Sequence, residues 1–230
     1  MKYKHIFFDL DSTLWDFETN SNKTLLQLID RFSLLKKGVD TPEAFIRKYK
    51  IHNERLWGLY RTDKIRKEEL RGKRFLLTMQ DYGIDDFQLA EDFGLAYIEE
   101  SPYKTELFPF SFEVLEYLKE KYILHIITNG FEEVQHIKLE ASKLDVYFDV
   151  IITSEQVGVK KPNSKIFEFA LEKANALARE SIMIGDDLIV DVLGAKNAGM
   201  TPIYFNPKEI RHQETIKFEI SCLSQIMEIL

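Results

Sequence analysis

From Pro102 onward the chain alternates short β-branched runs with longer stretches of helical spacing, and this rhythm limits the fold more than any other feature. Segments 123–127, 150–152, 182–184 and 202–205 read as strands. Between them, apolar residues recur at helical intervals: Phe112, Leu115 and Leu118; Val134, Ile137, Ala141 and Leu144; Ile166, Phe167, Ala170 and Leu171; Val192, Ala195 and Ala198. Asn163 is placed to cap the third of these helices, Gly199 to stop the fourth, and 223–230 reads as a last helix. Apolar strands separated by helices indicate a parallel sheet covered on both faces. A further strand over 4–9 opens the chain, but 20–101 reads as almost wholly helical. Leu25, Leu28, Ile29 and Phe32 share one helix face. Thr41-Pro42 reads as the start of a second helix carrying Phe45, Tyr49, Leu56 and Tyr60. Segments 67–82, ended by Gly83, and 85–100 read as two more. A crossover between parallel strands needs only about a dozen residues. The surplus is therefore an inserted helical domain. The expected architecture is α/β, a doubly wound parallel sheet (Rossmann-like) formed by 1–16 and 104–230, with 17–103 as the insert.

The net charge of −7 and the lack of a long basic stretch argue against nucleic acid or an anionic membrane surface as partner. They leave room for a small phosphorylated ligand, because a local cation can invert the field of one site. Cys222 is the single cysteine, which excludes an internal disulfide and suits a reducing cytoplasm. Met1-Lys2-Tyr3-Lys4-His5 runs straight into the first strand and lacks the apolar core of a signal peptide. No apolar run approaches the roughly 20 residues of a membrane-spanning helix. The expectation is a cytoplasmic protein, monomeric or homodimeric.

The first apolar run ends in Asp9-Leu10-Asp11. Residues two apart on a strand share a face, and two carboxylates there repel unless a cation, a proton or a reaction uses them. Open α/β sheets bind ligands at the C-terminal ends of their strands. Polar clusters follow other strands too: Thr128 and Asn129; Asp186, Asp187 and Asp191; and Lys160-Lys161-Pro162 in a loop after Gly158. Each has a plain reading by itself. T-N-G can be a turn, Asp186-Asp187 a helix cap with a solvated neighbour, and the lysines a solvated loop. Their order and shared placement point to one site.

The four clusters resemble the motifs of the haloacid dehalogenase-like phosphohydrolase superfamily. These are D-x-D-x-T (Asp9, Asp11, Thr13), a strand ending in Thr128, Lys161 before Pro162, and Gly185-Asp186 followed by Asp191. The insert falls where that family carries its type 1 helical cap. One departure is Ser12, where many members have glycine; as serine is small, little consequence is expected. The stretches Ile127-Thr128-Asn129-Gly130-Phe131 and Val157-Gly158-Val159-Lys160-Lys161-Pro162-Asn163, followed by Ile166-Phe167, are similar to the pyrimidine 5′-nucleotidase subgroup. The resemblance implies hydrolysis of a small phosphate monoester, a nucleoside monophosphate, with Mg²⁺ as cofactor.

The residues suit that chemistry. Phosphate monoesters hydrolyse so slowly that accelerations of up to ~10²¹ are known. A carboxylate nucleophile splits the displacement into two easier steps through an aspartyl-phosphate, and Asp9 fits that role. Asp11 fits the general acid and base. Asp9, Asp186 and the backbone carbonyl of Asp11 suit Mg²⁺, with Asp187 or Asp191 orienting a metal-bound water. Thr128, with backbone N–H groups of the turn through Asn129 and Gly130, can hold phosphoryl oxygens. Lys161 adds a point charge, with Lys160 its competitor. In the insert, Trp57, Tyr60 and Arg61 are candidates for binding a base or sugar, or for packing one helix on another. Segments 17–21 and 101–104 are expected hinges for closure. Alternatives are a sugar-phosphate phosphatase, a β-phosphoglucomutase-like phosphotransferase, a haloacid dehalogenase and a non-catalytic binding module. Asp11, Asp186 and Asp191 speak against the dehalogenase, which needs no metal.

Overall fold

The computed structural model describes residues 2–230; Met1, the first residue of the expected core domain, lies outside them. The chain divides into two compact units, one built from residues up to Phe17 together with Thr105–Leu230, the other from Glu18–Lys104.

The first unit holds a parallel sheet of β1 (His5–Phe8), β2 (Ile123–Thr128), β3 (Val150–Thr153), β4 (Ser181–Gly185), β5 (Thr201–Phe205) and β6 (Glu219–Ile220). Their order is β3-β2-β1-β4-β5-β6, so β1 lies at the centre, between β2 and β4. All four residues of β1 are buried, as a strand covered on both faces requires. Alternate residues go to opposite faces. Ile6 and Phe8 pack with Val114, Leu115 and Leu118 of α5 (Ser111–Lys119). Phe7 packs on the other side with Ile166 and Phe167 of α8 (Ser164–Lys173). Between these lie α6 (Glu132–Ala141) and the short α7 (Ser154–Val157). The expected doubly wound α/β fold is what the chain adopts.

The helical unit contains α1 (Phe17–Arg31, its first residue in the other unit), α2 (Pro42–Arg61), α3 (Lys67–Gln80) and α4 (Phe87–Glu100). The Thr41 hydroxyl caps α2 by accepting from Ala44 N at 3.1 Å, with Pro42 in the first turn. Asp86, the residue after the expected start, caps α4 through Leu89 N. The core centres on Phe75, whose ring lies 5.2–5.3 Å from those of Tyr49, Phe93 and Tyr97.

The sheet has one strand more than the sequence reading gives it, because β6 is only two residues long and carries no periodicity. The expected helix over 223–230 is a 3₁₀ turn, Leu223–Gln225, followed by α10 (Ile226–Ile229). The helix through Val192 starts as a π turn, Leu188–Leu193, before α9 (Gly194–Asn197).

Within the α/β unit the two chain crossings toward the insert pair with each other. Asp16 N donates to Glu106 O at 3.0 Å, Phe108 N donates to Leu14 O at 2.9 Å, and Trp15 bridges Leu107 in antiparallel sense. Among the described residues, no helix is long and apolar enough to cross a membrane.

Candidate active site

The C-terminal ends of β1, β2 and β4 bring the expected acids, hydroxyl and lysine of the α/β unit together. Asp9 follows β1, and its N–H donates to Ile184 O at 2.9 Å, which ties the β1 exit to β4. Lys161 is 1% exposed. Its Nζ donates to Asp9 Oδ1 at 2.6 Å and to Ile127 O at 2.7 Å, and forms an ion pair with Asp191 Oδ1 at 2.6 Å. Burial alone would push this ammonium down; the charges of Asp191 and Asp9 reverse that and hold it protonated. Lys161 is thus buried against Asp9 and Asp191, while Lys160 is half-buried.

Asp9, Asp186 and Asp191 each offer a carboxylate oxygen, and these oxygens lie within 4.8 Å of one another. Burial pushes Asp9 up to about 7, with the Asp191 charge adding to it and Lys161 opposing it. Asp186 is pushed well above the usual carboxylate range, first by burial and then by Asp191 and Asp9; burial also raises Asp191. Three carboxylates thus face one ammonium. An all-oxygen set with excess negative charge fits a hard divalent cation such as Mg²⁺. Thr13, fully buried, donates to Asp186 Oδ1 at 3.2 Å.

Two glycines make the close packing possible. A Cβ on Gly185 would stand 2.4 Å from Asp191 Oδ2, so Asp191 lies directly on the β4 backbone. A Cβ on Gly130 would stand 2.3 Å from the amide of Gln135.

Several expected residues have partners other than those the sequence suggests. The Asp187 carboxylate caps the following π turn, Oδ1 accepting from Ile189 N and Val190 N at 3.0 Å each. Of the two candidates for a place behind the metal, Asp191 is therefore the one within the carboxylate cluster. The Asn129 side chain grips the backbone of Lys161, Nδ2 donating to Lys161 O at 3.0 Å and Oδ1 accepting from Lys161 N at 2.8 Å. The side chain thus fixes the lysine, while the role expected at Asn129 is that of its backbone N–H. Gly130 N donates to Thr128 Oγ1 at 3.0 Å. The Lys161–Pro162 peptide bond is cis.

The Asp11 carboxylate stands apart from the three-acid cluster. Its Oδ1 accepts from Lys138 Nζ at 2.5 Å and its Oδ2 from Gln135 Nε2 at 2.9 Å. The same Gln135 nitrogen donates to Thr128 Oγ1 at 2.6 Å. Sequence reasoning missed Gln135 and Lys138. The reading gave α6 an apolar face through Val134 and Ile137, whereas the helix buries Gln135, Lys138 and Leu139. Ser12 adopts a left-handed conformation, φ 65°, so glycine's advantage there is conformational as well as a matter of size.

In the helical unit, Trp57, Tyr60 and Arg61 lie along α2. Tyr60 is 7% exposed and meets Trp57 edge-on, ring centroids 5.5 Å apart, while Trp57 and Arg61 are half-buried.

Residues 3–199 match the haloacid dehalogenase-like hydrolase family. The pyrimidine 5′-nucleotidase YjjG of Escherichia coli (strain K12) is 33% identical over 233 residues, covering 100% of this chain and 99% of that protein. The pyrimidine 5′-nucleotidase PynA of Streptococcus pneumoniae (strain ATCC BAA-255 / R6) is 30% identical over 236 residues, covering 100% and 96%. The magnesium-bound crystal structure of the putative HAD-hydrolase YfnB from Bacillus subtilis matches with a TM-score of 0.89 at 25% identity, over 100% of this chain and 99% of that one.

Proposed function

Because the chain belongs to the haloacid dehalogenase-like hydrolase family, we propose that it hydrolyses phosphate monoesters, with nucleoside 5′-monophosphates as the substrate class. The observation that carries this reading is the separation of the acids into two environments. Asp9, Asp186 and Asp191 converge around buried Lys161, while Asp11 is held by different partners at the same sheet edge. One carboxylate group is thus set up for binding and attack, the other for proton handling. The full-length similarity to two pyrimidine 5′-nucleotidases supports a nucleotide as substrate and the nucleoside as leaving group.

In this reading Asp9 attacks phosphorus and the bond to the bridging oxygen breaks. Asp11 gives its proton to that departing oxygen. Asp11 then takes a proton from water as the water oxygen bonds to phosphorus and the aspartyl-phosphate bond breaks, which frees Asp9. Lys161 and the Thr128 hydroxyl hold the equatorial oxygens, whose charge is spread in the transition state. Asn129 acts through Lys161 by fixing its backbone. Asp9 and Asp186, with the Asp11 carbonyl, would hold Mg²⁺, whose charge lets a dianionic phosphate approach this acidic edge. Asp191 supports those ligands, and Asp187 serves as a helix cap. The insert, residues 17–103, is the cap domain, whose Trp57, Tyr60 and Arg61 on α2 are the candidates for recognising a base or sugar.

The test is a phosphate-release screen of the purified protein across nucleoside monophosphates and sugar phosphates, with Mg²⁺ and with EDTA. The expected result is Mg²⁺-dependent release from nucleoside 5′-monophosphates, abolished in Asp9→Asn with the fold unchanged by circular dichroism. No release from any monoester would overturn the reading, and full activity in Asp9→Asn would remove the nucleophile.

A further inference from the structure

Gln135 and Lys138 have no part in the reaction just described, yet both are buried and both reach its residues from one face of α6. They stand three apart on the helix, so their side chains emerge as neighbours. Lys138 is 5% exposed, and its Nζ lies 4.2 Å from the ring centroid of Trp15 while it meets Asp11 Oδ1 at 2.5 Å. Gln135 is fully buried. Its single amide nitrogen donates to two acceptors that belong to different strand ends, Asp11 Oδ2 after β1 and Thr128 Oγ1 at the end of β2.

We propose that Gln135 and Lys138 are positioning residues that set the direction of the Asp11 carboxylate and of the Thr128 hydroxyl. This rests on the phosphatase reading above. Three observations carry it. First, both oxygens of Asp11 are held, one by each residue, so the carboxylate is fixed in rotation as well as in place. Second, the Thr128 oxygen accepts from both Gln135 Nε2 and Gly130 N. A hydroxyl has two acceptor lone pairs and one proton. With both lone pairs taken, the proton is left to donate outward. Third, Gln135 Oε1 is buried without a hydrogen-bond partner. Turning the amide around would offer Asp11 an oxygen instead of a donor, so the orientation serves Asp11 and Thr128 at the expense of the side chain's own carbonyl. Gly130 makes room for this arrangement, since a Cβ there would collide with the amide.

Loss of direction at Asp11 should matter in proportion to how much the departing oxygen needs a proton. A nucleoside alkoxide needs one, whereas p-nitrophenolate leaves without it. The experiment measures kcat and KM with Mg²⁺ for a nucleoside 5′-monophosphate and for p-nitrophenyl phosphate in wild type, Lys138→Met and Gln135→Met. Methionine retains the apolar stem of either residue, and thermal melts establish that each variant folds. Lys138→Met is expected to lower kcat/KM, which reports the steps through departure of the leaving group and not the shared hydrolysis of the aspartyl-phosphate, by about tenfold or more for the nucleotide and by less than about threefold for p-nitrophenyl phosphate. Gln135→Met should lower both substrates' kcat/KM through Thr128, and the nucleotide's further. Equal losses of kcat/KM on the two substrates in Lys138→Met would assign the pair a structural role and overturn the proposal, as would unchanged kcat/KM in both variants. If Lys138→Met does not fold, the substrate ratio in Gln135→Met decides by the same criterion. Wild-type turnover of the nucleotide tests the phosphatase reading separately, before any variant is compared.

Discussion

Acidification should destabilise the α/β unit through one buried imidazole, His125. This residue lies on β2, fully buried, with the Phe7 ring stacked 4.5 Å away. Its Nε2 is 3.1 Å from His5 Nδ1, and its Nδ1, 3.9 Å from Asp149 Oδ2, has no hydrogen-bond partner. Burial, helped by the neighbouring His5, pushes His125 from 6.5 down to about 4, against a small opposing pull from Asp149. The sign follows from which state takes the proton first. Above about pH 7 the imidazole is neutral whether folded or unfolded, and its contribution is intact. As pH falls below 6.5 the unfolded chain binds a proton that the fold refuses until about pH 4. Stability is lost across that window, about 2 kcal/mol by pH 5 and about 3 kcal/mol below pH 4. His125→Gln removes the titration while keeping a polar group toward His5. Urea unfolding at pH 7.5 and 5.0 measures the difference, followed by tryptophan fluorescence in a Trp57→Phe background, where Trp15 reports on the α/β unit alone. The raised carboxylates Asp9, Asp186 and Asp191 act in the opposite direction, but they are present in both proteins and cancel. Wild type should lose about 2 kcal/mol more than the variant between the two pH values. Equal losses would show that His125 titrates alike in both states and refute the reasoning.

Asp187→Ala should cost about 1 kcal/mol through the lost cap with little change in kcat, whereas Asp191→Asn should lower kcat by tenfold or more; the reverse order, in melts and steady-state kinetics, would exchange their roles. Lys161→Met leaves Asp9 and Asp191 buried without their ammonium, so it should abolish turnover and destabilise by about 3–5 kcal/mol in EDTA. Millimolar Mg²⁺ should restore part of that stability, and identical melts with and without the ion would count against a cation at the three carboxylates.

Much of this organisation is legible in the sequence because it rests on local periodicity. β1, β2 and β4 are buried on both faces, so they read as apolar runs, and the polar residues that end them mark the sheet edge. Thr41 and Asn163 act as helix caps, as their positions suggest. Contacts that depend on packing across the chain are not legible. Gln135 and Lys138 lie 124 and 127 residues from Asp11. As polar positions of a helix they look like its solvent face, when they are its buried one. The one available signal is their three-residue spacing just after Thr128-Asn129-Gly130. Asp187 and Asp191 are chemically identical in sequence. The turn at Leu188–Leu193 separates them by taking one as a cap and laying the other on Gly185.

The paired crossings at Asp16–Glu106 and Leu14–Phe108 bear on how such a chain can vary in length. They close the excursion of the insert like a stem, inside the α/β unit. Once the stem is formed, the sheet is indifferent to the number of residues beyond it except through loop-closure entropy, and doubling a flexible excursion costs only about 0.6 kcal/mol. Flexible residues added to the turns between the helices of the insert should therefore cost the sheet little. Changes of length in its connecting turns are expected to leave the strand ends that carry the acids and the threonine in register.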